Sequence, residues 1–218
     1  GKKLNKVAFD VFRVISSRIE QLTGRTLGNI KLGETTDYFD LPGENQLSET
    51  KQEAFIFFNW YLKNRALYDE SHNEVAEELS KRGENPIQPL AKNKGETPFW
   101  VIIEGDKHKL HLVDGGIKVV KRKDEETVED TIPLETPLTD IKDLSSRLSS
   151  YYKNKKISVM PTAIGLILNM RAVGDVLLPE QGSHYIEQAN LVWQRITEKA
   201  TPDQIDSLAQ NDIIRVHP

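Results

Sequence analysis

The stretch Ala54-Phe55-Ile56-Phe57-Phe58-Asn59-Trp60-Tyr61-Leu62 is the most aromatic window of the chain. Wound as a helix, it carries apolar residues on more than one stripe. Phe55, Phe58 and Leu62 share one face, Ile56 and Trp60 a second, and Phe57 and Tyr61 a third. A helix that is apolar nearly all round is buried on most sides. The rest of the chain is therefore expected to pack around it. Ser48 offers an N-cap and Glu49 an acidic first turn, which places this central helix near 48–69.

Outward from it, residues 73–81 read as a second, shorter helix, with Val75, Ala76 and Leu79 on one side and Gly83 as its stop. Asn85-Pro86-Ile87-Gln88-Pro89 then forms an extended connector. On the N-terminal side, residues 3–23 have helical apolar spacing (Leu4, Ala8, Val11, Ile15, Ile19, Leu22). Lys2, Lys3, Lys6, Arg13 and Arg18 make its outer face basic. Residues 24–47 are loop-like. Gly24-Arg25-Thr26-Leu27-Gly28 lacks the Gly-Lys-Ser/Thr triplet of a phosphate loop. Asp37, Asp40 and Glu44 offer oxygen ligands, but not at EF-hand spacing, and read as an acidic surface loop.

Beyond the connector lies the β segment. Residues 99–104, 107–113 and 117–122, separated by Gly105-Asp106 and Asp114-Gly115-Gly116, predict a small antiparallel meander near 99–122. Alternation puts His108, Leu110 and Leu112 on the helix-covered face. It puts Lys107, Lys109, His111 and Val113 towards water. Residues 124–143 hold eight acids (Asp124, Glu125, Glu126, Glu129, Asp130, Glu135, Asp140, Asp143) against Lys142, and read as a loop. Thr139 or Asp140 caps a helix to about Lys153. Residues 157–160 suit a strand. Residues 162–173 read as a buried helix in which Gly165 allows close packing on the central one. Residues 183–199 form an amphipathic helix with Tyr185, Ala189, Val192, Trp193 and Ile196 inward. Thr201-Pro202-Asp203-Gln204 opens a last helix with a capping box, ending near Asn211.

The expected fold is α+β and predominantly helical: about six helices around the central one, with the meander to one side. Its parts are an N-terminal helical region (1–84), a linker, meander and acidic loop (85–136), and a C-terminal helical region (137–218), together one domain. Gly1-Lys2-Lys3 lacks an initiator methionine, and the chain reads as a fragment of a larger protein.

Composition removes several function classes. The 218 residues contain no cysteine, which excludes disulfides, thiolate metal sites and a thiol nucleophile. No apolar run is long enough to span a bilayer, and no signal peptide is visible. We read the location as cytoplasmic and expect no membrane partner and no cofactor. Net charge is −4, which argues against bulk nucleic-acid affinity.

Few residues are arranged for chemistry. Asp106, His108, His111 and Asp114 are metal-ligand types, but His108 and His111 point to opposite faces of one strand, so no metal is expected. Gly182-Ser183-His184 has no nucleophile elbow around it, and Ser183 reads as an N-cap. Glu77 and Glu78 read as a solvated face. Arg65 and His72 form an Arg-x6-His pair at the end of the central helix, which resembles the Arg-x4–6-His motif of HEPN ribonucleases. That resemblance covers two residues and implies action of both on a scissile phosphate. Ala66 stands where the family tends to carry a polar residue. Lys107, Lys109, Lys118, Lys121, Arg122 and Lys123 make the meander basic, a charge pattern suited to a polyanion.

Two functions follow as expectations. The first is a non-enzymatic interaction or assembly domain that binds a protein partner, self-associates, or contacts a polyanion such as nucleic acid through the meander lysines. The alternative is a nucleic-acid-processing enzyme of HEPN-ribonuclease type using Arg65 and His72.

Overall fold

The computed structural model of the chain describes Gln21 and residues 38–41, 52–84, 87–123, 126–173, 176–179, 183–208 and 213–216. The chain divides into two units, residues 1–37 and 38–218. In the first, only Gln21 is described; it is helical and exposed. The basic 3–23 face, the Gly24–Gly28 loop, Asp37, Glu44 and the Ser48 cap lie outside the described residues. All that follows concerns the second unit.

The second unit is α+β, but not predominantly helical. Its frame is a six-stranded antiparallel sheet in the order β1-β6-β2-β3-β4-β5. The strands are β1 (Asp40–Leu41), β2 (Glu96–Ile103), β3 (Asp106–Val113), β4 (Gly116–Lys123), β5 (Glu126–Pro133) and β6 (Ile157–Pro161). The expected three-stranded meander is thus only the middle of the sheet. The stretch read as an acidic loop contains β5. An edge strand has water along one side and tolerates Glu129 and Asp130, so its polarity concealed it. Glu104 and Gly105, both at positive φ, make the β2–β3 turn, one residue earlier than expected.

Six helices are described: α1 (Ile56–Lys63), α2 (Arg65–Lys81), α3 (Ile141–Tyr151), α4 (Ala163–Val173), α5 (Ser183–Lys199) and α6 (Pro202–Asp206). The central helix does not run on to Asp69. It breaks at Asn64, and what was expected as a short 73–81 helix is the end of the longer α2. The break has a long-range cause. The Asn64 side chain donates to the Trp60 carbonyl (3.0 Å) and accepts from Gln204 Nε2 (2.7 Å). Trp60 Nε1 in turn donates to the Gln204 carbonyl (2.7 Å). The final helix ends at Asp206 rather than near Asn211. The pair β7 (Val176–Pro179) and β8 (Ile213–Val216) forms a separate parallel ribbon.

The core sits where α1 crosses the sheet. Phe57, Phe58 and Tyr61 are buried and gather around Phe99 of β2, with ring centroids 4.9 to 5.4 Å away. Burial of one such ring contributes about 1.5–3 kcal/mol. α4 packs on α1 through Gly165, as its glycine predicts: a Cβ there would lie 2.6 Å from Phe57 Cε1. α5 lies against both α2 and α4, burying Ile186, Ala189, Val192 and Ile196. Tyr185, expected inward, is 44% exposed.

Candidate ligand-binding pocket

Two separate cavities receive the two residues singled out as a catalytic pair. Arg65 opens α2 and lines a cleft of about 680 Å³ with Asp69, Lys92 and Asp114. Its guanidinium is already engaged. Nη1 donates to the Leu112 carbonyl and Nη2 to the Gly95 carbonyl, each at 3.0 Å, while Nε lies 3.5 Å from Asp69 Oδ2. Tyr61 donates to the other Asp69 oxygen (3.0 Å). Burial raises the Asp69 pKa, opposed by the Tyr61 hydroxyl and the Arg65 charge. Gly95 makes the clamp geometrically feasible. It sits at φ 70°, and a Cβ there would lie 2.3 Å from the Leu112 oxygen.

His72 lies two turns further along α2 and lines a different cavity, of about 330 Å³. The neutral form is enforced there: burial lowers the His72 pKa to about 4, against the pull of Glu96, with Lys109 and Lys92 pushing the same way as burial. A base that weak is poorly matched to catalysis near pH 7. Arg65 and His72 line different cavities.

The His72 cavity is better furnished than the Arg65 cleft. Ile87 and Leu90 come from the extended connector, Trp100 and Lys109 from β2 and β3, Thr162 and Ile164 from the head of α4, and Tyr185 from the first turn of α5. The connector is fastened to α2 by Asn73, which donates to the Leu90 carbonyl (2.9 Å) and accepts from the Leu90 N–H (2.8 Å). On its lining residues, His72 Nδ1 and Thr162 Oγ1 are buried and have no hydrogen-bond partner in the protein. Buried polar groups are nearly always satisfied, and an orphan costs about 1–3 kcal/mol. Two in one cavity mark a place where something else supplies the partner.

The meander lysines divide between the two sheet faces. By register, Lys107, Lys109 and Lys118 share one face, and Lys121 lies on the other. Lys107 and Lys109 stand over the Trp100 ring, 5.0 and 4.2 Å from its centroid. Lys109 pairs with Glu96 (2.6 Å), Lys118 with Glu129 (2.6 Å) and Lys121 with Asp106 (2.5 Å). Glu96 is partly buried, which alone would raise its pKa, yet the Lys109 ammonium and the Ala91 N–H hold it below the usual range. The Arg122 and Lys123 side chains lie outside the described residues.

His111 departs from expectation. It was placed towards water but is only 9% exposed, because the turn at 92–94 folds over it and brings the Lys94 carbonyl to 3.0 Å from Nδ1. Among the described residues, no three His, Asp or Glu side chains are grouped to hold a metal ion. No helix among them is long and apolar enough to cross a membrane.

Of the cavity residues, sequence reasoning singled out His72 and Lys109, each for another role. It missed Thr162, Trp100 and Tyr185 as a group. Thr162 carried one signal: a hydroxyl residue directly before an apolar helix. No family model, curated protein or solved structure matches this chain.

Proposed function

We propose that the chain is a non-enzymatic binding domain that receives a small polar ligand in the His72 cavity. One observation carries this: His72 Nδ1 and Thr162 Oγ1, both buried and both without a partner, belong to residues lining the same cavity. The remaining wall suits the role. Small-molecule pockets are mostly apolar, with a few converging polar groups, and Ile87, Leu90, Trp100, Ile164 and Tyr185 supply the apolar part.

This keeps the interaction-domain expectation and moves the site from the lysine face to the cavity. Support for the move is electrostatic. Lys109, Lys118 and Lys121 each have a carboxylate within 2.6 Å, so their charge is largely compensated before any partner arrives. Support for binding over catalysis comes from Arg65, all three of whose nitrogens are held by two carbonyls and Asp69.

A thermal-shift screen of neutral and charged fragments tests the proposal. Ligands of the folded state raise the melting midpoint by mass action. Hits are expected to stabilise the wild type and to lose their effect in His72→Leu. Hits that stabilise both proteins equally, or a screen with no hits, contradict it.

A further inference from the structure

Granted that the cavity is a ligand site, we infer that it is built for a carboxylate carried on a compact aromatic or branched apolar body. The head of α4 supplies the first reason. The first bond of this eleven-residue helix runs from the Leu166 N–H to the Thr162 carbonyl (2.7 Å). The N–H groups of Ala163, Ile164 and Gly165 precede it and have no intrahelical acceptor. Such a helix end favours an anion, both through those donors and through the helix dipole.

Thr162 supplies the second reason. Its carbonyl accepts the first helical bond, so it occupies the N-cap position. A threonine there normally turns its hydroxyl onto the N–H two or three residues on. Here Oγ1 makes no such bond, and its own N–H is taken by the Pro98 carbonyl (2.8 Å). Helix end and hydroxyl are both left for an outside acceptor.

His72 supplies the third, independent of the helix. It is 4% exposed, lines the cavity, and holds Nδ1 without a partner. A neutral imidazole with its proton on Nδ1 donates there. Helix N–H groups, the Thr162 hydroxyl and an Nδ1-protonated His72 thus border one cavity beside the Gln188 amide, and a carboxylate is the group that accepts from all of these donors. Lys109 limits the charge: Glu96 lies 2.6 Å from its Nζ, so the site offers little to neutralise a second negative charge. Trp100 and Tyr185 form the walls for the body, and about 330 Å³ keeps it small.

The test uses the whole ¹⁵N-labelled chain titrated with phenylacetate, phenylacetamide and inorganic phosphate, read by amide and imidazole shifts. Phenylacetate is expected to shift the Ala163 and Ile164 amides and the His72 ring saturably, with phenylacetamide about tenfold weaker. Thr162→Val should weaken phenylacetate about tenfold, and Thr162→Ser should retain it. If the valine variant fails to fold, the acid–amide comparison on the wild type stands alone. Equal affinity for acid and amide, or tighter binding of phosphate, overturns the carboxylate assignment and leaves the pocket standing. No saturable shift of pocket amides with any probe up to about 20 mM also overturns it. The neutral-fragment arm of the thermal screen then decides separately whether the cavity binds anything.

Discussion

His72 of α2 and Thr162 at the head of α4 line one cavity, and each buries a polar atom that nothing in the protein satisfies. A site kept for binding rather than for stability has a recognisable signature. Thr162→Val and His72→Leu each remove an orphan donor or acceptor. Each is expected to leave the unfolding free energy unchanged or raise it by about 1 kcal/mol, while reducing the thermal shift given by ligands. Urea denaturation of the two variants checks this. A loss above about 2 kcal/mol in both would mark the groups as structural.

Stability should also fall in acid in a way traceable to His72. Its folded pKa is depressed to about 4, chiefly by burial, with Lys109 and Lys92 adding to the effect and Glu96 opposing it. The unfolded chain takes up the proton near pH 6.5, where the folded one does not. Stability from this group is therefore complete above pH 6.5 and is lost as pH falls from there towards 4, by about 3 kcal/mol. Asp69, whose pKa is raised, works in the opposite sense at the acid end. The difference between wild type and His72→Gln isolates the histidine. Equal pH slopes for the two proteins would contradict the assignment.

Gly165→Ala tests the contact that seats α4 on α1. Alanine would gain about 1 kcal/mol in helix propensity. Its methyl would lie 2.6 Å from Phe57 Cε1 and 3.1 Å from Pro161 Cβ. Phe57 has no room to retreat, being buried among Trp60, Tyr61, Tyr68 and Phe99. Overpacking of this kind costs about 1–3 kcal/mol, so a net loss of up to about 2 kcal/mol is expected. A stabilised variant would show that α1 and α4 are less tightly joined.

The Arg65 clamp predicts a stability role. Arg65→Ala leaves the Leu112 and Gly95 carbonyls and the buried Asp69 without their donor. The expected loss is about 2–4 kcal/mol. Arg65→Lys should recover little, since an ammonium cannot reach two carbonyls in a fork. A double-mutant cycle with Asp69→Asn should show strong coupling. Ligand shifts at the His72 cavity of the folded variants should persist.

Much of this architecture was readable, and the unread parts share one cause. The aromatic stretch at 54–62, the buried helix at 163–173 and the start of α6 all declare themselves through local pattern. What failed was set at long range. The chain breaks at Asn64 because Gln204, far along the sequence, reaches its side chain. β5 is a strand because β4 offers it a full ladder, not because its acidic residues favour one. His111 is covered because a turn closes over it.

The site was harder still to read. His72 and Thr162 are ninety positions apart, and only the sheet and α4 bring them to one cavity. A hydroxyl ahead of an apolar helix announces a cap. Nothing local says that the cap bond is left unmade.

The most direct measurement is a ¹H–¹⁵N shift map of the wild-type chain, titrated first with the fragments that raise its melting point and then with single-stranded RNA. Saturable shifts confined to His72, Trp100, Thr162, Ala163, Ile164 and Tyr185 are predicted for the fragments, with little response to RNA at moderate salt. Shifts concentrated at Lys107 and Lys118 with RNA, and none in the cavity with any fragment, would contradict the assignment and return the site to the lysine face.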